Sequence, residues 1–164
     1  WRGKQWDIRK FSQLAERLTA KDGILPAARI AVFAAAQERM QTEELFRAFP
    51  EEQIIDLVGK TDLTEVAACL QRCDFFVGND SGLAHMAVAT GIPTLSLFGP
   101  SRPELYGPWG ENAAWVRTPE SFDELTGIPG YDHRTTESLM DGLTVDAAEA
   151  AAYSLWRRTQ SAAA

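Results

Sequence analysis

Apolar and polar positions along this chain follow two rhythms in turn. After Asp7, a side chain suited to capping, Phe11, Leu14, Ala15 and Leu18 recur at helical spacing until Gly23, which predicts a first helix. Arg29 to Ala34 is then short and almost uniformly apolar, the mark of a buried strand. The same pair repeats. A helix is predicted over Glu38 to Ala48, with Leu45, Phe46 and, just beyond, Phe49 toward the core, and a strand over Ile54 to Val58 closed by Gly59. Thr61 or Asp62 caps a third helix. Glu65 completes a capping box with Asp62, and Leu63, Val66, Ala67 and Leu70 form the inner face. Asp74 to Gly78 reads as a strand, Gly82 to Thr90 as a helix stopped by Gly91 and Pro93, and Thr94 to Phe98 as another strand.

Strands that alternate with helices point to an α/β fold with a mainly parallel sheet and helices on both faces, because parallel neighbours need a crossover long enough to hold a helix. Beyond Gly99 the pattern thins. Pro100, Pro103, Gly107, Pro108 and Gly110 predict an irregular loop, Ala113 to Arg117 an edge strand, and Thr118 to Gly142 a long turn-rich stretch. An Ala-rich helix is predicted over Val145 to Arg158, regular over 146–158, fraying through Gln160 to Ala164. There is no internal repeat and no dividing linker, so 1–164 reads as a single domain.

Composition narrows the function. A formal net charge of -7 argues against a broad nucleic-acid-binding surface, so an anionic ligand has to be held locally. Cys69 and Cys73 lack the paired spacing of a zinc site or a disulfide framework and read as reduced thiols. The most apolar stretch, Ala27 to Ala36, contains Arg29 and falls short of the ~18 residues a membrane span needs. No secretory leader is visible, and the opening at Trp1 rather than Met leads us to expect a longer natural chain. Trp6, Trp109, Trp115 and Trp156 are expected to pack rather than to stack on bases. Dinucleotide-binding, phosphate-loop, zinc-protease and serine-hydrolase signatures do not occur.

The segment from Asp74 to Met86 carries the most chemistry, a strand entering a helix through the polar turn Gly78-Asn-Asp-Ser-Gly82. Ligands in parallel α/β sheets collect at such strand ends, where helix N-termini offer free N–H groups. Gly78 is expected to allow a sharp exit from the strand, Ser81 to cap the helix or bond an anion, and Gly82 to let a phosphate approach the backbone. An ordinary helix cap is the plainer reading of this turn. Asp80 beside an anion is costly unless it binds something else, and a sugar hydroxyl is a suitable partner. His85 shares a helix face with Ser81 and reads equally as a packing residue. Taken alone, Lys4 is one surface lysine among several and Glu38 a charge at a helix start.

Taken together, Gly3-Lys-Gln-Trp6, Leu57-Val-Gly-Lys-Thr-Asp-Leu63, Asn79-Asp-Ser-Gly-Leu-Ala-His85 and Leu97-Phe-Gly-Pro100 resemble glycosyltransferase family nine, the ADP-heptose–lipopolysaccharide heptosyltransferases. The similarity runs from Gly3 to about Gly110, with Met140 to Val145 resembling the family's closing segment. The family pairs two Rossmann-like domains across a cleft, the GT-B arrangement, and this chain resembles the C-terminal, donor-binding half. The resemblance implies that Lys4 meets the donor pyrophosphate, that Ser81 and Gly82 present backbone groups to it, and that Glu38 bonds the ribose. It further implies that Lys60 and Thr61 lie beside adenine, that Asp80 holds the donor sugar and that His85 supports its loop.

The partners implied are a nucleotide-sugar donor, ADP-linked, and a glycan or glycolipid acceptor, with no cofactor and no metal, in a cytoplasmic protein peripheral to the inner membrane. The family's base lies in the acceptor half, so no catalytic residue is assigned here. Ala34-Ala-Ala36 stands where the family commonly has a glycine-rich turn. The resemblance also places a central strand ahead of Trp1. The sheet within these residues is therefore expected to be divided, the isolated chain to be unstable or to associate, and the natural chain to be about twice as long. Two other classes stay open: a non-hydrolysing nucleotide-sugar 2-epimerase, which shares the two-domain fold and a similar Asp-Ser-Gly turn, and a non-catalytic nucleotide-binding module.

Overall fold

In the computed structural model, which describes residues 1–162, the first helix α1 (Ile8–Thr19) begins where the spacing places it, with the Asp7 carboxylate accepting from the Arg9 N–H. Strand β1 (Ile30–Val32), helix α2 (Arg39–Ala48) and strand β2 (Ile54–Asp56) follow. Helix α3 (Leu63–Leu70) opens on the predicted reciprocal Asp62–Glu65 box. Strand β3 (Phe76–Asn79), helix α4 (Gly82–Ala89) and strand β4 (Thr94–Phe98) lead to α5 (Pro103–Tyr106), β5 (Ala113–Arg117), α6 (Phe122–Thr126) and the closing helix α7 (Val145–Ala162).

Several boundaries differ from the sequence reading for local reasons. β1 and β2 pair over only three residues each, shorter than their apolar runs. β3 starts two residues late because its ladder opens where the Phe76 N–H reaches the Pro93 carbonyl. Gly78 therefore lies inside the strand, where it makes room for the Phe76 ring, and the turn begins at Asp80 instead. Leu63 is 73% exposed, since it precedes the cluster that Val66 and Leu70 form with Ala87 and Ile92. α5 and α6 interrupt stretches expected to be irregular, and α7 keeps Gln160 and Ser161 helical; Ala163 and Ala164 lie outside the described residues. Trp6 is buried and Trp156 half-buried against Phe75, but Trp109 is 87% exposed in the Gly107–Gly110 turn. Trp115 is partly exposed on β5, at the edge of its sheet.

All strand pairs are parallel, and the sheet is divided as expected into β1–β2 and β3–β4–β5. β4 is buried along its whole length. Its Leu95 and Leu97 pack with Leu14, Leu18 and Leu155 of α1 and α7, while α4 covers the other face. Full burial of each such leucine is worth roughly 1.5–3 kcal/mol. A third cluster joins Val32, Leu45 and Val58, with Ile8 of α1 packed against it, so α1 bridges both sheets. Only β4 pairs on both sides; β1, β2, β3 and β5 each pair on one side only, which leaves four open strand edges among the described residues. The chain in isolation should consequently self-associate, seen as elution ahead of an 18.1 kDa monomer in size-exclusion chromatography. A monomer with one sharp unfolding transition contradicts this. Among the described residues, no helix is long and apolar enough to cross a membrane.

Candidate functional site

Parallel strands put all their carboxyl ends on one edge, so the residues after β3 and β4 converge. Lys4 reaches the same edge from a short turn at the start of the chain, and that turn is tied down on several sides. The Trp6 N–H donates to Asn79 Oδ1 at 3.0 Å, the Trp6 indole to the Leu143 carbonyl at 2.9 Å and the Ser138 hydroxyl to the Gln5 carbonyl at 2.6 Å. The Leu139 N–H donates to the Gly3 carbonyl at 3.1 Å.

From this base Lys4 Nζ pairs with Asp80 Oδ2 at 2.5 Å, and the Ser101 hydroxyl donates to the same oxygen at 2.8 Å. The ion pair is well shielded, the Asp80 side chain being 7% exposed and that of Lys4 25%. The ammonium also lies 5.3 Å from the Trp1 ring centre and 5.8 Å from that of Tyr106.

Asp80 is thus not a helix cap. Ser81 occupies the N-cap position of α4 but makes no side-chain capping bond, so its hydroxyl and the first helix N–H groups remain available to an anion. Gly82 is exposed, and a Cβ there would meet nothing within 4 Å. His85 is exposed too. The bonds that hold the Asp80 loop come from Lys4, Ser101 and the Asp80 N–H to the Leu97 carbonyl.

A second group forms at the ends of β1 and β2. Gly59, at φ +68, lies so close to Ala36 that a Cβ would come within 2.6 Å of the Ala36 methyl, which draws the two loops together. Lys60 pairs with Asp56 at 2.7 Å, Arg39 with the same carboxylate at 2.8 Å, and Glu38 accepts from the Ala35 N–H at 2.9 Å. Thr61 is half-buried beside them. Among the described residues no hydrogen bond or ion pair joins this group to Lys4 and Asp80.

Partial burial pushes the Asp56 carboxyl up, but hydrogen bonds from Arg39, Lys60 and the Val58 N–H outweigh it and hold it at about 2. A depressed folded value stabilises the protein above the unfolded value near 4, and that contribution is lost as pH falls toward 2. Asp56→Asn should therefore cost about 1 kcal/mol at pH 6, after discounting for solvent, and nothing near pH 2. Thermal melts of both proteins across that range check it; a penalty independent of pH contradicts it.

Trp1, Arg39, Asp56, Ser101 and Tyr106 are the site members that sequence reading passes over. Ser101 had a signal, since it follows Leu97-Phe-Gly-Pro100 at the end of a buried strand.

A family model for glycosyltransferase family 9 (heptosyltransferase) matches residues 1–125. The chain belongs to this family. The family 9 match extends past Gly110, where the visible motifs stop, and through α6 into its last turn. Lipooligosaccharide heptosyltransferase 2 of Haemophilus influenzae is 34% identical over 117 residues, covering 70% of this chain and 32% of that protein. Lipopolysaccharide heptosyltransferase 2 of Escherichia coli is 30% identical over the same shares. The chain spans about a third of the length of these curated relatives.

Among solved structures, that of the E. coli ADP-heptose lps heptosyltransferase II has a TM-score of 0.75 at 22% identity, covering 97% of this chain and 44% of that one. E. coli heptosyltransferase WaaC with ADP gives 0.70 at 26% identity, covering 93% and 40%. The likeness covers nearly the whole chain, and the α/β fold with parallel sheets is that of part of the GT-B heptosyltransferase structures.

Proposed function

We propose that this family 9 chain is the donor-binding half of an inverting glycosyltransferase that moves a heptose from ADP-heptose to a lipopolysaccharide-type or other glycan acceptor. The observation that carries the reading is the shielded Lys4–Asp80 pair beside the open N-terminus of α4. A diphosphate seated on the first N–H groups of α4, against Ser81 and Gly82, lies next to the one cation of that group, Lys4, while Asp80 faces the adjoining sugar. Glu38 then takes the ribose hydroxyls, Lys60 and Thr61 flank adenine, and His85 backs the loop from the outer side of α4.

In the reaction an acceptor oxygen attacks the anomeric carbon from the side opposite the diphosphate. The bond from that carbon to the diphosphate oxygen breaks, its electron pair leaves with ADP, and the acceptor proton passes to a base on the acceptor half. Lys4 and the helix N–H groups offset the charge that grows on the leaving oxygen. Catalysis gains because that charge is largest as the bond breaks. A donor of this kind and an acceptor of this kind put the work in the cytoplasm, at the periphery of the inner membrane.

The test is incubation of the full-length protein with ADP-heptose, with and without an acceptor glycan, followed by chromatography. ADP and a glycosylated acceptor are expected, formed only together. An isomeric donor formed without acceptor establishes an epimerase instead, and binding without turnover a nucleotide-binding module.

A further inference from the structure

Lys4 and Ser101 both bond Asp80 through Oδ2, leaving Oδ1 without a partner among the described residues. The two donors differ in freedom. Lys4 ends a flexible four-carbon stem and keeps a quarter of its side chain exposed, so an entering diphosphate can draw its ammonium away. Ser101 cannot follow. It is 3% exposed and its N–H is bonded to the Gly99 carbonyl at 2.8 Å. Gly99 lies against the fully buried Met140, where a Cβ would come within 2.5 Å of Met140 Cγ. The residue next to Met140, Leu139, braces the Lys4 turn from the other side.

We propose that Ser101 is a positioning residue: it fixes Oδ2 of Asp80, keeping Oδ1 aimed at the ligand's sugar after Lys4 moves to the diphosphate. The inference rests on the nucleotide-sugar reading above and adds a residue that the reading does not need. A carboxylate freed of both partners can rotate or take up solvent, whereas one held by a buried hydroxyl stays pre-organised for a hydroxyl ligand. Loss of Ser101 therefore separates the two parts of the donor, because the diphosphate keeps Lys4 and α4 while the sugar loses an oriented acceptor.

Calorimetric titration of ADP and of ADP-heptose into the full-length protein and its Ser101→Ala, Ser101→Thr and Ser101→Cys variants tests this, with thermal melts confirming that each is folded. In Ser101→Ala the ADP affinity should stay within about twofold of the parent and the ADP-heptose affinity fall about tenfold, the order expected for one hydrogen bond to a charged group. Ser101→Thr retains the hydroxyl and should recover most of the loss; if its extra methyl lowers the melting point, Ser101→Cys, a weaker donor, should fall between parent and alanine. Equal losses on both ligands, or none on either, overturn the positioning role. A folded threonine variant as weak as alanine does so too. A parent that binds neither ligand overturns the nucleotide-sugar reading, and this inference with it.

Discussion

Gly82→Val should reduce ADP affinity by about a hundredfold or more while leaving the protein folded. The structure separates these two effects. Gly82 is exposed at the first position of α4 and an added Cβ meets no neighbour, and valine has a somewhat higher helix propensity than glycine, so the fold should bear the substitution with little cost. The same open space is the approach to the helix N–H groups, and a branched side chain there holds a phosphate away from all of them together. Each charge-assisted hydrogen bond lost is worth roughly 1.5–3 kcal/mol, so two suffice for the effect. Lys4→Ala removes a single donor and should cost less, about 1.5–3 kcal/mol, near the upper end because Asp80 is left facing the ligand without its counter-charge. Titration of ADP into the folded variants checks the order. Unchanged affinity in Gly82→Val removes this turn from the site.

Asp80→Ala should act in opposite directions on the two halves of the donor. It releases Lys4 from a 2.5 Å ion pair and removes a negative charge from beside the diphosphate. At ~6 Å and an effective dielectric near 20 such a like-charge pair costs roughly 3 kcal/mol, reduced toward ~1 by solvent and salt. ADP affinity is expected to hold or improve. The sugar loses a charge-assisted hydrogen bond worth roughly 1.5–3 kcal/mol, so ADP-heptose should weaken relative to ADP and transfer should slow. Asp80→Asn keeps an amide oxygen for the sugar but not the charge and should fall between. Were Asp80 a plain cap, both ligands would lose equally and stability would drop; the absence of any capping bond from its carboxylate among the described residues already speaks against that. Parallel titrations on the folded variants distinguish the two.

Much of this molecule is legible in its residues, and the failures have causes. Helix starts that depend on one side chain and its near neighbours, such as Asp7 and the Asp62–Glu65 box, form as read because capping is a local interaction. Ser121 and Glu124 carry the same box, which could have found α6 within a stretch rich in turns. Strand limits are harder, since pairing rather than hydrophobicity sets them. Nothing local in Phe75 distinguishes it from Phe76, yet the ladder begins at Phe76, opposite Thr94. The partners of Lys4 are harder still. Asp80 is 76 residues away and Ser101 a further 21, and only the meeting of β3 and β4 brings them to one oxygen. Exposure at Trp109 and Leu63 likewise depends on where neighbouring elements end, which no spacing rule contains.

The nucleotide-sugar site itself is tested most directly by calorimetric titration of ADP, UDP and GDP, with ADP-heptose alongside, into the full-length protein. Saturable binding is predicted, with ADP preferred over the other diphosphates and ADP-heptose bound at least as well as ADP through the contact of Asp80 with its sugar. The absence of saturable binding by any of the four would contradict it.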